Sequence, residues 1–146
     1  MKRQMIVRAA FSALMGLAAL PSHAQSGGVR VNVPFKFQVA NRMLPEGEYL
    51  ISSSKDNVFV QNAQGRTVAM VQSNAVTGRA AGATGKIVFQ CYEKHCFLSE
   101  LWSPTAYAGR QLPKSHREEE LAKKEAAKKE APIYFALAGA PNNNHH

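Results

Sequence analysis

The sequence predicts a mainly β protein: a single antiparallel β-sandwich or small β-barrel of about seven short strands, followed by a charged C-terminal α-helix. Three observations predict it. Residues 29–39 alternate apolar and polar with a period of two. Turn residues (Gly, Pro, Asn, Asp) punctuate short apolar runs that follow. A capping pattern at Ser115 opens a run of helix formers that Pro132 stops.

Before the first strand, residues 1–24 have the three parts of a cleaved secretory signal. Lys2, Arg3 and Arg8 make the positive start, Ala9–Leu20 the apolar stretch, and Ser22-His23-Ala24 the small-residue cleavage site after Pro21. The apolar stretch is much shorter than the roughly 20 residues a membrane span needs. Gln25 follows the expected cleavage point, where a lipoprotein would need Cys. The expected location is therefore periplasmic or secreted, with no transmembrane segment in the mature chain. Cleavage leaves 122 of the 146 residues and lowers the formal charge from +8 to +5. That length supports one domain with a modest core. The positive excess is scattered, not gathered into a stripe with interleaved aromatics, which argues against a nucleic-acid partner.

The β domain is expected over residues 25–112. Ser26-Gly27-Gly28 is a flexible leader. Val29, Val31, Val33, Phe35, Phe37 and Val39 fall on one face of an eleven-residue strand. Pro34 lacks an N–H, so this strand is expected at an edge or with a bulge there. Leu44-Pro45-Glu46-Gly47 is a turn. Strands follow at about Glu48–Ser53, Val58–Gln61 and Thr67–Gln72, separated by turns at Lys55-Asp56-Asn57 and Asn62–Gly65. Residues 74–85, poor in large apolar side chains, are expected to form a mobile loop. Lys86–Tyr92 and Cys96–Trp102 are apolar strands around a tight turn. The charged helix is expected over residues 113–131, with Glu119–Lys123, Glu120–Lys124 and Glu125–Lys129 paired along its surface. Leu121 is its only large apolar residue, so its weak apolar face reads as Ala122, Ala126 and Ala127. Residues 132–146 form a short apolar segment, Ile133–Leu137, and a disordered tail.

Two cysteines stand five residues apart. If Glu93-Lys94 is a two-residue hairpin loop, Cys91 lies opposite Cys96 on one face, within reach of a disulfide. An oxidising compartment favours that bond. The alternatives are a metal or redox site formed with His95, or two reduced thiols. Three ligands are too few for a closed zinc site, and no metal site, cofactor site or catalytic residue is assigned. The sequence contains no nucleophile elbow, zinc-protease motif or phosphate loop. His116 and the terminal His145-His146 read as solvated side chains. Glu100 alone among the acids sits in an apolar strand, sharing a face with Leu98 and Trp102 by alternation. It is the one candidate functional acid. Phe35, Phe37, Phe89, Leu98 and Trp102, with Tyr49, Phe59, Tyr92, Phe97 and Tyr107, are either core or the lining of an apolar pocket.

Three stretches, residues 31–52, 86–104 and 109–122, carry the motifs V-P-F-x-F, L-P-x-G-x-Y, F-L-S-x-x-W and G-R-x-L-P-x-S. In these the chain resembles a family of small exported proteins of unknown function, mainly acidobacterial. The resemblance implies a shared fold and export; its motifs are structural and transfer no catalytic residue. In that family the hairpin tip usually carries Gly or Asp without the cysteine pair, so a disulfide here would be a local addition.

The expected function is that of an exported, non-enzymatic β-domain protein binding or scaffolding at the cell envelope. The alternatives are a carrier of a small apolar ligand in a barrel cavity and, more remotely, a hydrolase using Glu100 or another acidic residue. The expected partner is accordingly an envelope component or an apolar small molecule.

Overall fold

A computed structural model describes residues 28–78, 85–104, 108–129 and 131–141. The expected signal, the Ser26-Gly27 leader, Tyr107 and the last five residues lie outside the described residues. Among the described residues twelve strands and one helix run in the order β1 (Val29–Val33), β2 (Phe37–Val39), β3 (Arg42–Leu44), β4 (Gly47–Ser54), β5 (Asn57–Asn62), β6 (Thr67–Gln72), β7 (Asn74–Thr77), β8 (Lys86–Tyr92), β9 (His95–Trp102), β10 (Ala108–Gln111), α1 (His116–Ala127), β11 (Ile133–Ala138) and β12 (Ala140–Pro141).

The strands form two facing sheets that do not close into a barrel. One has the order β12-β1-β4-β5-β6. The other has the order β11-β8-β9-β10-β7, with the β2–β3 hairpin set beside β9. The protein is a β-sandwich, with more and shorter strands than the sequence suggests. All pairings are antiparallel except β2 with β9, which touches in parallel at Gln38 and Phe97.

The excess of strands has a physical origin. The apolar alternation of residues 29–39 is continuous, but the strand is not: it breaks around Pro34, leaving β1 in one sheet and β2 in the other. Val29, Val33, Phe37 and Val39 are all buried, because a residue pointing into the gap between two sheets is buried whichever sheet carries it. Pro34, with no N–H to give a ladder, stands where the chain crosses. At the next turn Gly47 takes φ +154°, a conformation side chains rarely adopt. The Tyr49 hydroxyl donates to the Pro45 carbonyl at 2.6 Å, bracing that turn. The expected loop over residues 74–85 is corrected over its first part: Asn74–Thr77 is β7, paired with β10 from Asn74↔Gln111 to Thr77↔Ala108. Both strands were illegible because they are short, polar and lie at the margin of a sheet, where no apolar alternation is required.

Between β6 and β7 the chain crosses sheets again, and Ser73 holds the crossing. Its N–H and Oγ donate to the Asp56 carbonyl at 2.7 and 3.0 Å. Arg110, on β10, donates through Nε to Ser73 Oγ at 2.9 Å and through Nη2 to the Ser73 carbonyl at 2.7 Å. Nη2 also pairs with Asp56 Oδ1 at 3.2 Å. One guanidinium thus ties the second sheet to the β4–β5 turn of the first.

The second sheet is covered on its outer face by α1, which makes a third layer. Tyr92, Phe97 and Leu121 form a buried cluster there, joined by the half-buried Ala122. Ser115 caps the helix, its Oγ accepting from the Glu118 N–H at 3.2 Å, as its spacing predicts. No helix among the described residues is long and apolar enough to cross a membrane. The apolar segment after the helix joins the sheet as β11, in register with β8 from Ile133↔Cys91 to Ala138↔Lys86.

Removing the Arg110 clasp should loosen the two sheets together. Arg110→Ala is expected to cost about 2 kcal/mol, the scale of hydrogen bonds to a charged donor, read as a lower denaturant midpoint with unchanged slope.

Candidate functional site

The five side chains expected to line a core or pocket separate into two groups. Phe35, Phe37, Phe89 and Leu98 meet between the sheets. Phe89 packs edge-on against Phe35 and Phe37 at centroid distances of 5.2 and 5.3 Å, and Phe37 reaches Tyr49 of the other sheet at 5.1 Å. Phe37 and Phe89 are fully buried and Leu98 nearly so. These residues fill the sandwich; they do not surround a lumen.

Trp102 lies elsewhere, on the outer face. Alternation alone put Leu98, Glu100 and Trp102 on one side. The structure corrects this through a bulge: Val88 opposes Glu100 but Phe89 opposes Leu98, so Ser99 is an extra residue on β9. Leu98 and Leu101 therefore face the core, while Glu100 and Trp102 face away. There the Trp102 indole N–H donates to Glu100 Oε2 at 2.8 Å. Lys86 Nζ stands 5.4 Å from the ring centroid. Gly109 lies directly against the ring: a Cβ there would come within 2.7 Å of Trp102 Cδ2. Glu100 is thus the hydrogen-bond partner of a packed tryptophan.

Cys91 and Cys96 form a disulfide, with Cα atoms 4.0 Å apart. Tyr92 opposes His95 and Cys91 opposes Cys96 across the two-residue turn, as the sequence predicts. Both sulfurs are bonded to each other, which removes the metal and free-thiol alternatives at this hairpin. Among the described residues no three His, Cys, Asp or Glu side chains gather as a metal site. Glu93 at the hairpin tip accepts from Lys128 Nζ at 2.9 Å. That bond and the ammonium charge hold the Glu93 carboxyl below its ordinary range.

A cluster missed by sequence reasoning lies under α1. The helix was expected to present alanines inward, yet Ala126 and Ala127 are exposed while Glu118 and Glu125 are buried. Glu125 turns inward instead of pairing with Lys129 on the surface. The Tyr92 hydroxyl donates to Glu118 Oε1 at 3.3 Å. Burial pushes the Glu118 carboxyl above its ordinary value of 4.5, against the lowering influence of Lys114 and the Tyr92 bond. Burial, reinforced by the Glu118 charge, also raises the Tyr92 hydroxyl. Glu125 Oε2 is buried, with no hydrogen-bond partner among the described residues. The spacing 118, 121, 122, 125 around Leu121 was the available signal: it is the one helical face centred on the only large apolar side chain.

An open groove of about 330 Å³ runs between the β2–β3 turn and β6, lined by Val39–Arg42 and Thr67–Met70. Arg42 Nη1 donates across it to the Val68 carbonyl at 3.0 Å. Glu100 and the disulfide are not part of it. Its lining mixes the polar Asn41, Arg42 and Thr67 with the apolar Val39, Ala40, Val68, Ala69 and Met70. Comparison with protein-family models, with curated proteins and with solved structures finds no match.

Two outcomes follow from this geometry. Because the folded-state carboxyl of Glu118 lies above its unfolded value, its contribution to stability is present below that unfolded value and lost as pH rises through the folded one. Denaturation at pH values between about 4 and 7 should show the native chain losing stability relative to Glu118→Gln as pH rises; parallel curves would refute the assignment. Replacing both cysteines by serine should cost about 2 kcal/mol, the loop-closure value for so short a ring, measured by chemical unfolding of the two proteins.

Proposed function

We propose that this chain works outside the cytoplasm as a non-enzymatic β-sandwich that binds or scaffolds components of the cell envelope. The observation that carries this reading is the Cys91–Cys96 disulfide, a bond characteristic of oxidising compartments. The signal-like composition of residues 1–24 supports the same address. The sandwich itself supports a binding role. Its interior is filled, Glu100 is engaged by Trp102, and the surface offers a groove beside β6.

A second reading, a carrier of a small apolar ligand, is favoured by the volume of that groove, which reaches the lower range of small-molecule sites. It would carry its ligand on the outside of the sandwich, between the β2–β3 turn and β6, instead of within a barrel.

Fractionation of the producing cells tests the proposal, followed by native mass spectrometry of the oxidised protein released from each fraction. Envelope binding predicts co-sedimentation with membranes or wall material, lost on washing at high salt or with detergent. Protein found wholly in the soluble extracytoplasmic fraction with a retained small molecule favours the carrier. Protein found wholly in the cytoplasm, with free thiols, overturns both.

A further inference from the structure

Among the described residues the two sheets end laterally at β12, β6, β7 and β11, with the three-residue β3 as a further short edge, and all of these but β11 are short or blunted. The β12 edge is two residues long. The β7 edge is four, and carries exposed Asn74 and Thr77. The β6 edge is interrupted by a register shift at Val60/Gln61, and Arg42 occupies its Val68 carbonyl. Natural edges are protected in these ways against pairing with other chains.

The remaining edge, β11, has none of these protections. It runs six residues in unbroken register with β8, and among the described residues no strand lies on its other side. From Ala131 to Pro141 there is no charged residue. Ile133, Tyr134 and Phe135 are 58%, 62% and 44% exposed, and they are three of the five large apolar side chains exposed among the described residues. Phe135 rests on Phe35 at 5.8 Å, so this apolar surface continues into the sandwich.

We infer that β11 is the docking edge for a second copy of this chain, paired antiparallel about a two-fold axis at Phe135. The strand is its own complement in that register. Ile133 stands opposite Leu137 of the second copy on the inner face, and Tyr134 opposite Ala136 on the outer face, a large side chain against a small one. A two-fold axis perpendicular to the sheet keeps the faces matched, so the inner apolar stripe runs on from one sandwich into the other. Charge favours the same occupant. The chain is strongly basic overall, yet β11 offers no cation to an acidic partner, and its uncharged edge brings no like charges together when two copies meet. At those exposures, and roughly 200 Å² per large side chain, the three residues contribute about 300 Å² per copy. Over two copies that is about 600 Å², below the size of stable specific interfaces and in the weak, transient class, with dissociation in the micromolar range or weaker. This inference goes beyond the envelope reading and does not depend on it.

Sedimentation of the oxidised, processed protein over a wide concentration series tests it, alongside Ala136→Lys and Met70→Lys. Both substituted residues are exposed, so both variants keep the fold. The expected result is a monomer–dimer equilibrium that Ala136→Lys weakens at least tenfold and Met70→Lys, on the β6 edge, leaves unchanged. A monomer up to about millimolar concentration overturns the inference. So does a dimer that Ala136→Lys leaves intact, a dimer that Met70→Lys disrupts equally, or open-ended growth without a plateau at two copies.

Discussion

Strand β8 must be covered on both faces, and most of the architecture answers that demand. From Ile87 to Tyr92 every residue of it is buried. Ile87, Phe89 and Cys91 face the other sheet; Val88, Gln90 and Tyr92 face away from it. A two-layer sandwich shields only one side of such a strand. The outer side needs a further layer, and α1 provides it through Leu121 and Ala122. The helix carries few apolar side chains, so it brings Glu118 and Glu125 into the same contact. A buried carboxylate is costly unless it is paired or protonated. The Tyr92 hydroxyl meets part of that cost at Glu118. The Glu93–Lys128 ion pair then ties the hairpin end of β8 to the end of the same helix, while the disulfide joins β8 to β9 on the opposite, inner face. These contacts form one assembly around a strand that has no solvent-facing side.

Much of this was legible from residue order, and the rest was hidden for identifiable reasons. The β8–β9 hairpin, its two-residue turn, its facing cysteines and the Ser115 cap all rest on contacts within a few residues, where local spacing determines geometry. Assignment of strands to sheets rests on distant contacts. A period of two shows that Val29 to Val39 point inward, but not that the chain changes sheets at Pro34. The single extra residue at Ser99 reversed the facing of Glu100 and Trp102, which no alternation pattern reveals. Strands β7 and β10 escaped notice because small and polar residues suffice at the margin of a sheet.

The candidate site was less legible than the fold. The five side chains expected as core or pocket lining divide by face: Phe35, Phe37, Phe89 and Leu98 meet in the interior, and Trp102 stands outside it over Gly109. Glu125 was expected on the helix surface beside Lys129, because charged residues in a helix are usually solvated. The groove beside β6 depends on the β2–β3 turn reaching across to the Val68 carbonyl, a contact between residues 26 apart in sequence. Surface shape of that kind arises only when separate elements are brought together.

Strand β1 pairs with β12 at Val29↔Pro141 and Arg30↔Ala140, so the earliest and latest described strands are neighbours. During synthesis, or during passage through any channel that threads the chain from its beginning, β1 emerges more than a hundred residues before this neighbour. Until then its outer ladder at Val29 and Arg30 has nothing to bond to, and the sandwich stays open along that side. Completion of this sheet is therefore tied to the emergence of β12, and a factor meeting the chain earlier would meet an open-sided intermediate. That pairing also requires a glycine at 139, where any side chain would collide with Val29.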